Sequence, residues 1–516
     1  MGDWTAEQQA IIEEPLCSTV VIAAPGSGKT SVLTERIVHV VRRDKIAPNR
    51  ILAVTFTRQA AEHMRRKLAS HPALSFRSTE SLRIGTFHAQ IFRAMLEVRP
   101  DIPVLLNTRE QSAYMASALA RVVGAAEGIS RWAVTELLTE YSWLVGRGQV
   151  PLSRKLQRIF RIYARLKKKH NRWDYDDILL AAANAIDQGT RLPFFERLQY
   201  LLVDEFQDTN AVQWVLVEGI HQRYHLPVFV VGDDDQSVYG FRGASPDFLQ
   251  RASTSLQGAR QMLLTRNFRS DQSIVHHAEQ LILHVRRRID KPLRAVSSAP
   301  GLVRMVEVED EQKEAHLVTL LILQLLEARP AKTIGVLART RRQLTQAWSL
   351  LQLAAQTSDH NQGAMLDRGH RPPGALPVQF RTFHDSKGKE WDVVILLDLI
   401  ATSIGRPHTN VQETSSRKTN CSRSADFAND VNFADELADD ERRLLYVAMT
   451  RARSALIGFV PARFGGRRVR MTPFLTEAQL EPTPLNFARL MTDVFDSLSM
   501  HENRESRFSV DDTLKT

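Results

Sequence analysis

Residues 19–41, TVVIAAPGSGKTSVLTERIVHVV, carry the densest chemistry in the chain. An apolar run, Val20–Ile22, predicts a strand; Gly26 and Gly28 allow a tight turn; Val32, Leu33, Ile37, Val40 and Val41 then recur at helical spacing. A loop of this kind wraps its backbone N–H groups around phosphates, here through Ala24, Pro25, Gly26, Ser27 and Gly28. Lys29 reaches the outer phosphates and the Thr30 hydroxyl takes Mg²⁺. Ala23 stands where the strict GxxxxGK[ST] pattern has its first glycine.

A phosphate loop needs a carboxylate for the metal and a group that activates water. YLLVDEFQDTN supplies both at the end of an apolar strand, Leu201–Val203. Asp204 is the expected metal ligand beside Thr30, and Glu205 the group that orients or deprotonates the water. A third segment, VVGDDDQSVYGFRG, follows the apolar run Val228–Val231 and crowds together acids, an amide, rings and a cation. Flat rings bind single-stranded nucleic acid because every base has a π-face. A loop holding both kinds of group is suited to link hydrolysis to a nucleic-acid track.

Strands that end in chemistry and are followed by helices predict an α/β fold with parallel sheets. The 516 residues suffice for several domains, and a net charge of +10 admits either a polyanionic partner or a plain basic enzyme. Two cysteines, Cys17 and Cys421, exclude a disulfide framework and favour a reducing, cytoplasmic setting. The polar start is not a secretory signal, and no stretch reaches the apolar length of a membrane span.

The ordered series of segments resembles the UvrD/Rep/PcrA-type superfamily-1A DNA helicases. It begins with WTAEQQAII, which is similar to the adenine-reading Q motif, with Gln8 as its glutamine. TFTRQAAEHM, GTFHA, DEFQD, GDDDQSVYGFRGA, NFRS, TFHDSKGKEWD and DERRLLYVAMTRAR follow, so that the likeness runs from Trp4 to Arg453. The resemblance implies two RecA-like motor domains, Mg²⁺ and ATP as cofactor and substrate, and movement 3′→5′ on single-stranded DNA with unwinding of duplex ahead. It makes Gln236 a γ-phosphate sensor, Arg269 and Arg451 the stabilisers of transition-state charge, Phe268 a platform for adenine and Glu390 a ribose contact. The DNA track it implies comprises Thr55, Phe56, Thr57, Thr86, Phe87, His88, Tyr239, Phe241, Arg242, Thr382 and His384. Core positions remain open for Phe56 and Phe87, which follow apolar strands.

The same resemblance divides the chain. Residues 1–107 and 193–262 form domain 1A, residues 108–192 a helical 1B insertion, residues 263–480 domain 2A, and residues 481–516 a tail with one amphipathic segment. The family's 2B domain is reduced to a Gly/Pro-rich loop, 354–377, and a polar loop is expected at 401–438. Within 1B, Arg158, Arg161, Arg165, Lys168 and Arg172 read as a basic helix face, either solvated or set against phosphates at a single/double-strand junction. Other departures are Ser31 in place of an arginine set against adenine, Phe241 for tryptophan, and Asp385, Lys389 and Trp391 within TFHDSKGKEWD. The missing 2B domain leaves room for a second function: an ATP-gated, DNA-sensing motor subunit of a nuclease or anti-phage defence complex, with little unwinding on its own. Compact UvrD-like proteins of anti-phage defence, Gabija among them, resemble that role.

Overall fold

A computed structural model describes residues 4–124, 129–151, 153–329, 332–357, 366–367, 377–404 and 426–513. The chain separates into two units, one of residues up to Ala23 with Gly28–Leu264, the other of Ala24–Ser27 with Thr265 onward. No helix among the described residues is long and apolar enough to cross a membrane.

The first unit is built on a parallel sheet of six strands: β1 (Thr19–Ala23), β2 (Ile51–Thr55), β3 (Arg83–Thr86), β4 (Tyr200–Val203), β5 (Val228–Gly232) and β6 (Arg260–Leu264). Their order is β3-β2-β4-β5-β1-β6. Every residue of β1, β2, β4 and β5 is buried, which explains why these strands read as continuous apolar runs rather than alternating ones. Helices α1 (Ala6–Glu13), α2 (Lys29–Arg42) and α3 (Arg58–Ala69) contribute Ile11, Val32, Leu33, Ile37, Met64 and Leu68 to one of its cores. In an open parallel sheet, ligands bind beyond the carboxyl ends of the strands. All the candidate residues of this unit apart from Gln8 lie at those ends, in the loops that follow them or in the first turn of the next helix.

Helix α4 (Phe87–Val98) leads into an insertion of four helices: α5 (Thr108–Val123), α6 (Arg131–Arg147), α7 (Arg154–Lys169) and α8 (Tyr175–Asp187). α7 buries Ile159, Phe160, Tyr163 and Leu166 and exposes Arg158, Arg161, Arg165 and Lys168. Arg172 lies beyond the helix end, in a two-residue strand, so the basic stripe is one residue shorter than its spacing suggested. Lys167 points inward instead, with Asp174 at 2.5 Å and Asp177 at 2.6 Å.

The second unit has an eight-stranded sheet: β7 (Leu302–Asp310), β8 (Ile334–Ala338), β9 (Leu366–Asp367), β10 (Val378–Thr382), β11 (Trp391–Leu396), β12 (Ala452–Phe464), β13 (Arg467–Arg468) and β14 (Pro482–Pro484). The order is β9-β10-β8-β11-β12-β7-β14, all parallel, with β13 antiparallel on β12. Helices α9 (Glu311–Ala328) and α10 (Arg341–Thr357) follow β7 and β8.

Three segments differ from their expected form. The stretch 354–377 begins within α10 and contributes β9 to the sheet edge; its residues 358–365 and 368–376 lie outside the described part. Of the expected loop 401–438, residues 405–425 lie outside the described part, and the remainder from Asp426 belongs to helix α11 (Asp426–Met449). Its ADELADDERRLLYVAM sequence carries apolar residues at helical spacing, which outweighs the polar composition upstream. The tail is a docked element: α12 (Phe487–Thr513) adds Leu490, Met491, Val494 and Leu498 to the core.

Candidate nucleotide site and nucleic-acid face

In the first unit β1 stops at Ala23 and α2 starts at Lys29, with Gly28 as N-cap at φ 82°. That backbone is left-handed, and a Cβ there would meet the Gln8 amide nitrogen at 3.2 Å, so only glycine fits comfortably. Gln8 is held by a reciprocal cap: its carbonyl oxygen accepts the Thr5 N–H at 3.1 Å, and its own N–H donates to the Thr5 hydroxyl at 3.3 Å. The Thr30 hydroxyl donates to Asp204 Oδ2 at 3.4 Å. These are two hard oxygens of the kind Mg²⁺ prefers, so the residues present fit the ion. Burial, followed by the charge of Glu205, pushes the Asp204 carboxyl well above the usual carboxylate range. A bound cation reverses that bias.

Glu205 adopts a left-handed backbone, φ 52°, at some cost in strain for a residue with a side chain. Its carboxylate accepts the Gln207 side-chain N–H at 2.6 Å. The Gln207 carbonyl oxygen accepts the Asp233 backbone N–H at 2.9 Å, and Asp233 Oδ2 accepts the Gln236 side-chain N–H at 2.6 Å. Ser237 adds a bond from its hydroxyl to the Gln207 main-chain oxygen, at 3.0 Å. A continuous polar chain therefore joins Glu205 to the turn that carries the aromatic residues. Gln207 is fully buried, and its side chain and carbonyl serve both strand ends. Its role went unassigned in the sequence, although a lone amide inside DEFQD was the available signal.

Beyond that turn, Tyr239 stacks on Phe56 at 5.2 Å with 21° between the rings, and Phe241 stands edge-on to Tyr239 at 5.9 Å. Arg242 lies over both rings of the turn, 5.5 and 5.6 Å from their centroids. Phe56, Phe87, His88 and Phe241 line a cavity of about 640 Å³ together with Tyr175 of the insertion, a residue sequence reasoning had not singled out. Burial pushes the His88 imidazole down to about 4, so that it is neutral at physiological pH. Thr57 and Thr86 use their hydroxyls as N-caps of α3 and α4, accepting from Ala60 N at 3.1 Å and Ala89 N at 3.4 Å. The N-termini of α3 and α4 therefore lie directly after β2 and β3, an arrangement suited to phosphate oxygens. Thr55 is buried and donates to the Thr57 carbonyl at 2.9 Å, which makes it a brace of the turn rather than a surface group.

In the second unit the Asn267 carbonyl oxygen accepts the N–H groups of Arg269 and Ser270, both at 2.8 Å. Arg269 donates to Glu390 at 2.6 Å and to the Thr450 carbonyl at 3.2 Å. Glu390 also pairs with Arg453, a partner the sequence reading had not assigned. Burial works to raise the Glu390 carboxyl, yet Arg269 and then Arg453 hold it down at about 2. Phe268 is 48% exposed, and its N–H donates to the Gly26 carbonyl at 2.9 Å.

Arg451, expected to face the nucleotide, is 1% exposed. Its guanidinium donates to Val447 O at 2.8 Å, to the Thr450 hydroxyl at 3.1 Å and to Lys389 O at 3.4 Å. Thr382 caps the following turn by accepting the Asp385 N–H at 3.1 Å, with His384 partly exposed beside it. Asp385 pairs with Arg341 at 3.5 Å. Trp391 is a core residue: a Cβ on Gly335 would come within 2.5 Å of its ring.

A glycine phosphate loop and a strand-end carboxylate on parallel sheets define a P-loop NTPase fold. Residues 4–103 and 107–257 match the UvrD/REP helicase N-terminal domain, and residues 370–459 match the UvrD-like helicase C-terminal domain. The chain belongs to the UvrD/Rep helicase family. It is 29% identical over 331 residues to a putative ATP-dependent DNA helicase YjcD of Bacillus subtilis, covering 60% of this chain and 42% of the relative. It is 28% identical over 360 residues to the ATP-dependent DNA helicase PcrA of Leuconostoc citreum, covering 66% and 47%. A probable DNA helicase of Mycoplasma pneumoniae is 25% identical over 474 residues, covering 87% and 82%. The chain spans about half the length of the first two of these curated relatives.

Proposed function

We propose that the protein is an ATP-dependent DNA helicase that moves 3′→5′ along single-stranded DNA and engages single/double-strand junctions. The observation that carries this reading is the hydrogen-bonded chain Glu205–Gln207–Asp233–Gln236, which ends at the turn bearing Tyr239 and Phe241. Lys29 and the loop backbone bind the phosphates, Glu205 orients and deprotonates the attacking water, and Gln236 registers the γ-phosphate. Mg²⁺ held by Thr30 and Asp204 supplies charge neutralisation at the phosphates. Arg269 and Arg451 stabilise the charge that develops on the transferring group, and for Arg451 this requires its inward bonds to be exchanged. Gln8 and Phe268 receive the base and Glu390 the ribose. Tyr239, Phe241, Phe56 and Phe87 stack on bases while Thr57, Thr86, Arg242, Thr382 and His384 hold the backbone.

The brevity of the chain between α10 and β10 favours a second reading, an ATP-gated motor subunit that unwinds little without a nuclease or repair partner. Hydrolysis in the presence and absence of single-stranded DNA tests the site assignment. Lys29→Ala should abolish turnover in both conditions; DNA-stimulated hydrolysis by that variant would refute it.

A further inference from the structure

The second unit has a crevice of its own at the carboxyl edge of its sheet. Asp398 follows β11, Glu314 lies in the first turn of α9 after β7, and Gln343 lies in the first turn of α10 after β8. All three line a cavity of about 350 Å³. This edge is where parallel sheets bind ligands, and the nucleotide chemistry proposed above uses none of these residues.

Both carboxyl groups are buried, Glu314 at 3% and Asp398 at 2% exposure. Neither has an ion-pair partner among the described residues. The Asp398 N–H donates to Glu314 Oε1 at 2.9 Å, which places the two side chains together. Asp398 Oδ1 is buried without a hydrogen-bond donor. Asp398 also holds a left-handed backbone, φ 52°, a strained conformation for a non-glycine residue. Burial raises both carboxyls and the charge of Asp398 raises Glu314 further, while side-chain hydrogen bonds with Glu314 and Gln343 draw Asp398 part of the way back. Two buried acids with an orphaned oxygen require a shared proton or a cation. The cavity is also lined by Arg342, Thr340 and the Ser403 hydroxyl, the last accepting from Gln343 at 2.9 Å.

We propose that Glu314 and Asp398 form a binding site for a hard divalent cation, distinct from the Thr30–Asp204 pair. Two carboxylates with hydroxyl and water oxygens form a donor set for Mg²⁺, Mn²⁺ or Ca²⁺. The cation replaces the shared proton and fixes the strained turn after β11.

Mn²⁺ alone is the probe, added to the nucleotide-free full chain carrying Asp204→Asn, which removes the Thr30–Asp204 position; the Asp233–Asp235 carboxylates are the same in every variant and cancel in the comparison. Free Mn²⁺ is counted by electron paramagnetic resonance, and the thermal unfolding midpoint is followed in parallel. The expected result is at least one Mn²⁺ per chain, with a rise in midpoint. Adding Asp398→Asn or Glu314→Gln should weaken binding by at least roughly tenfold and remove the rise. Glu314→Gln keeps an acceptor for the Asp398 N–H, so it carries the test if the other variant fails to fold. Absence of Mn²⁺ binding, or binding undiminished in both double variants, would overturn the proposal. Stabilisation by methylammonium in place of Mn²⁺ would overturn it in favour of an ammonium site.

Discussion

Gln207 donates its side-chain N–H to Glu205 at 2.6 Å while the other end of the same amide accepts the Asp233 backbone N–H at 2.9 Å. One fully buried side chain therefore bridges the ends of two adjacent strands, β4 and β5. Under the proposed function, a shift of Glu205 on hydrolysis would reach the turn that carries Tyr239 through this hydrogen-bonded chain.

Gln207→Leu removes this bridge and leaves the Asp233 N–H buried without an acceptor, at a stability cost of about 1–3 kcal/mol. The stimulation of ATP hydrolysis by single-stranded DNA should fall severalfold more than the DNA-free rate. Equal losses in the two rates would show that Gln207 supports only the fold.

Tyr239→Ala and Phe241→Ala should each weaken single-strand binding by about 1–3 kcal/mol, the usual worth of one base stacked on a ring. Fluorescence anisotropy with a labelled oligonucleotide measures this. Tyr239→Ala should also free Phe56, which now lies against it, and so have the larger effect. Unchanged affinity in both variants would remove the turn from the DNA track.

Burial, and then the charge of Asp174, pushes the Asp176 carboxyl up to about 7. A raised acid binds its proton more tightly in the folded state, so its contribution is present at low pH and lost as pH rises from about 4 through 7. Asp176→Asn should flatten that loss and stabilise the protein at pH 8 by on the order of 1 kcal/mol, allowing for partial exposure. Denaturant titrations at pH 5 and pH 8 read the difference; a variant less stable at pH 8 would contradict it.

Leu498 of α12 is fully buried in the core of the second unit. Leu498→Ala should cost about 2–5 kcal/mol, as for other large core truncations. A cost below about 0.5 kcal/mol, the level of an ordinary surface change, would mean that the last helix is not part of that core.

The strand–turn–helix placement of Ala24–Gly28 and the placement of Asp204 and Glu205 after β4 were legible in the sequence because each depends on local backbone rules. Glycine at a left-handed position, an apolar run and a following helix leave few alternatives. Gln207, Tyr175 and Arg453 were not legible, because their partners come from elements distant in the chain. Arg451 shows the opposite failure: its motif marked it as important, yet no local pattern records that its guanidinium turns inward onto Val447 and Lys389. Thr55 likewise shares a motif with Phe56 but faces its own turn. Composition misled at residues 426–438, where the helical spacing that continues past 438 was the stronger signal.

The most direct measurement follows ATP hydrolysis and strand separation together on two duplexes, one with a 3′ single-stranded tail and one with a 5′ tail. The proposed function predicts DNA-stimulated hydrolysis on both and separation only from the 3′ tail. Separation from the 5′ tail alone would reverse the assigned direction, and hydrolysis without separation on either would contradict a self-sufficient helicase and favour the gated subunit.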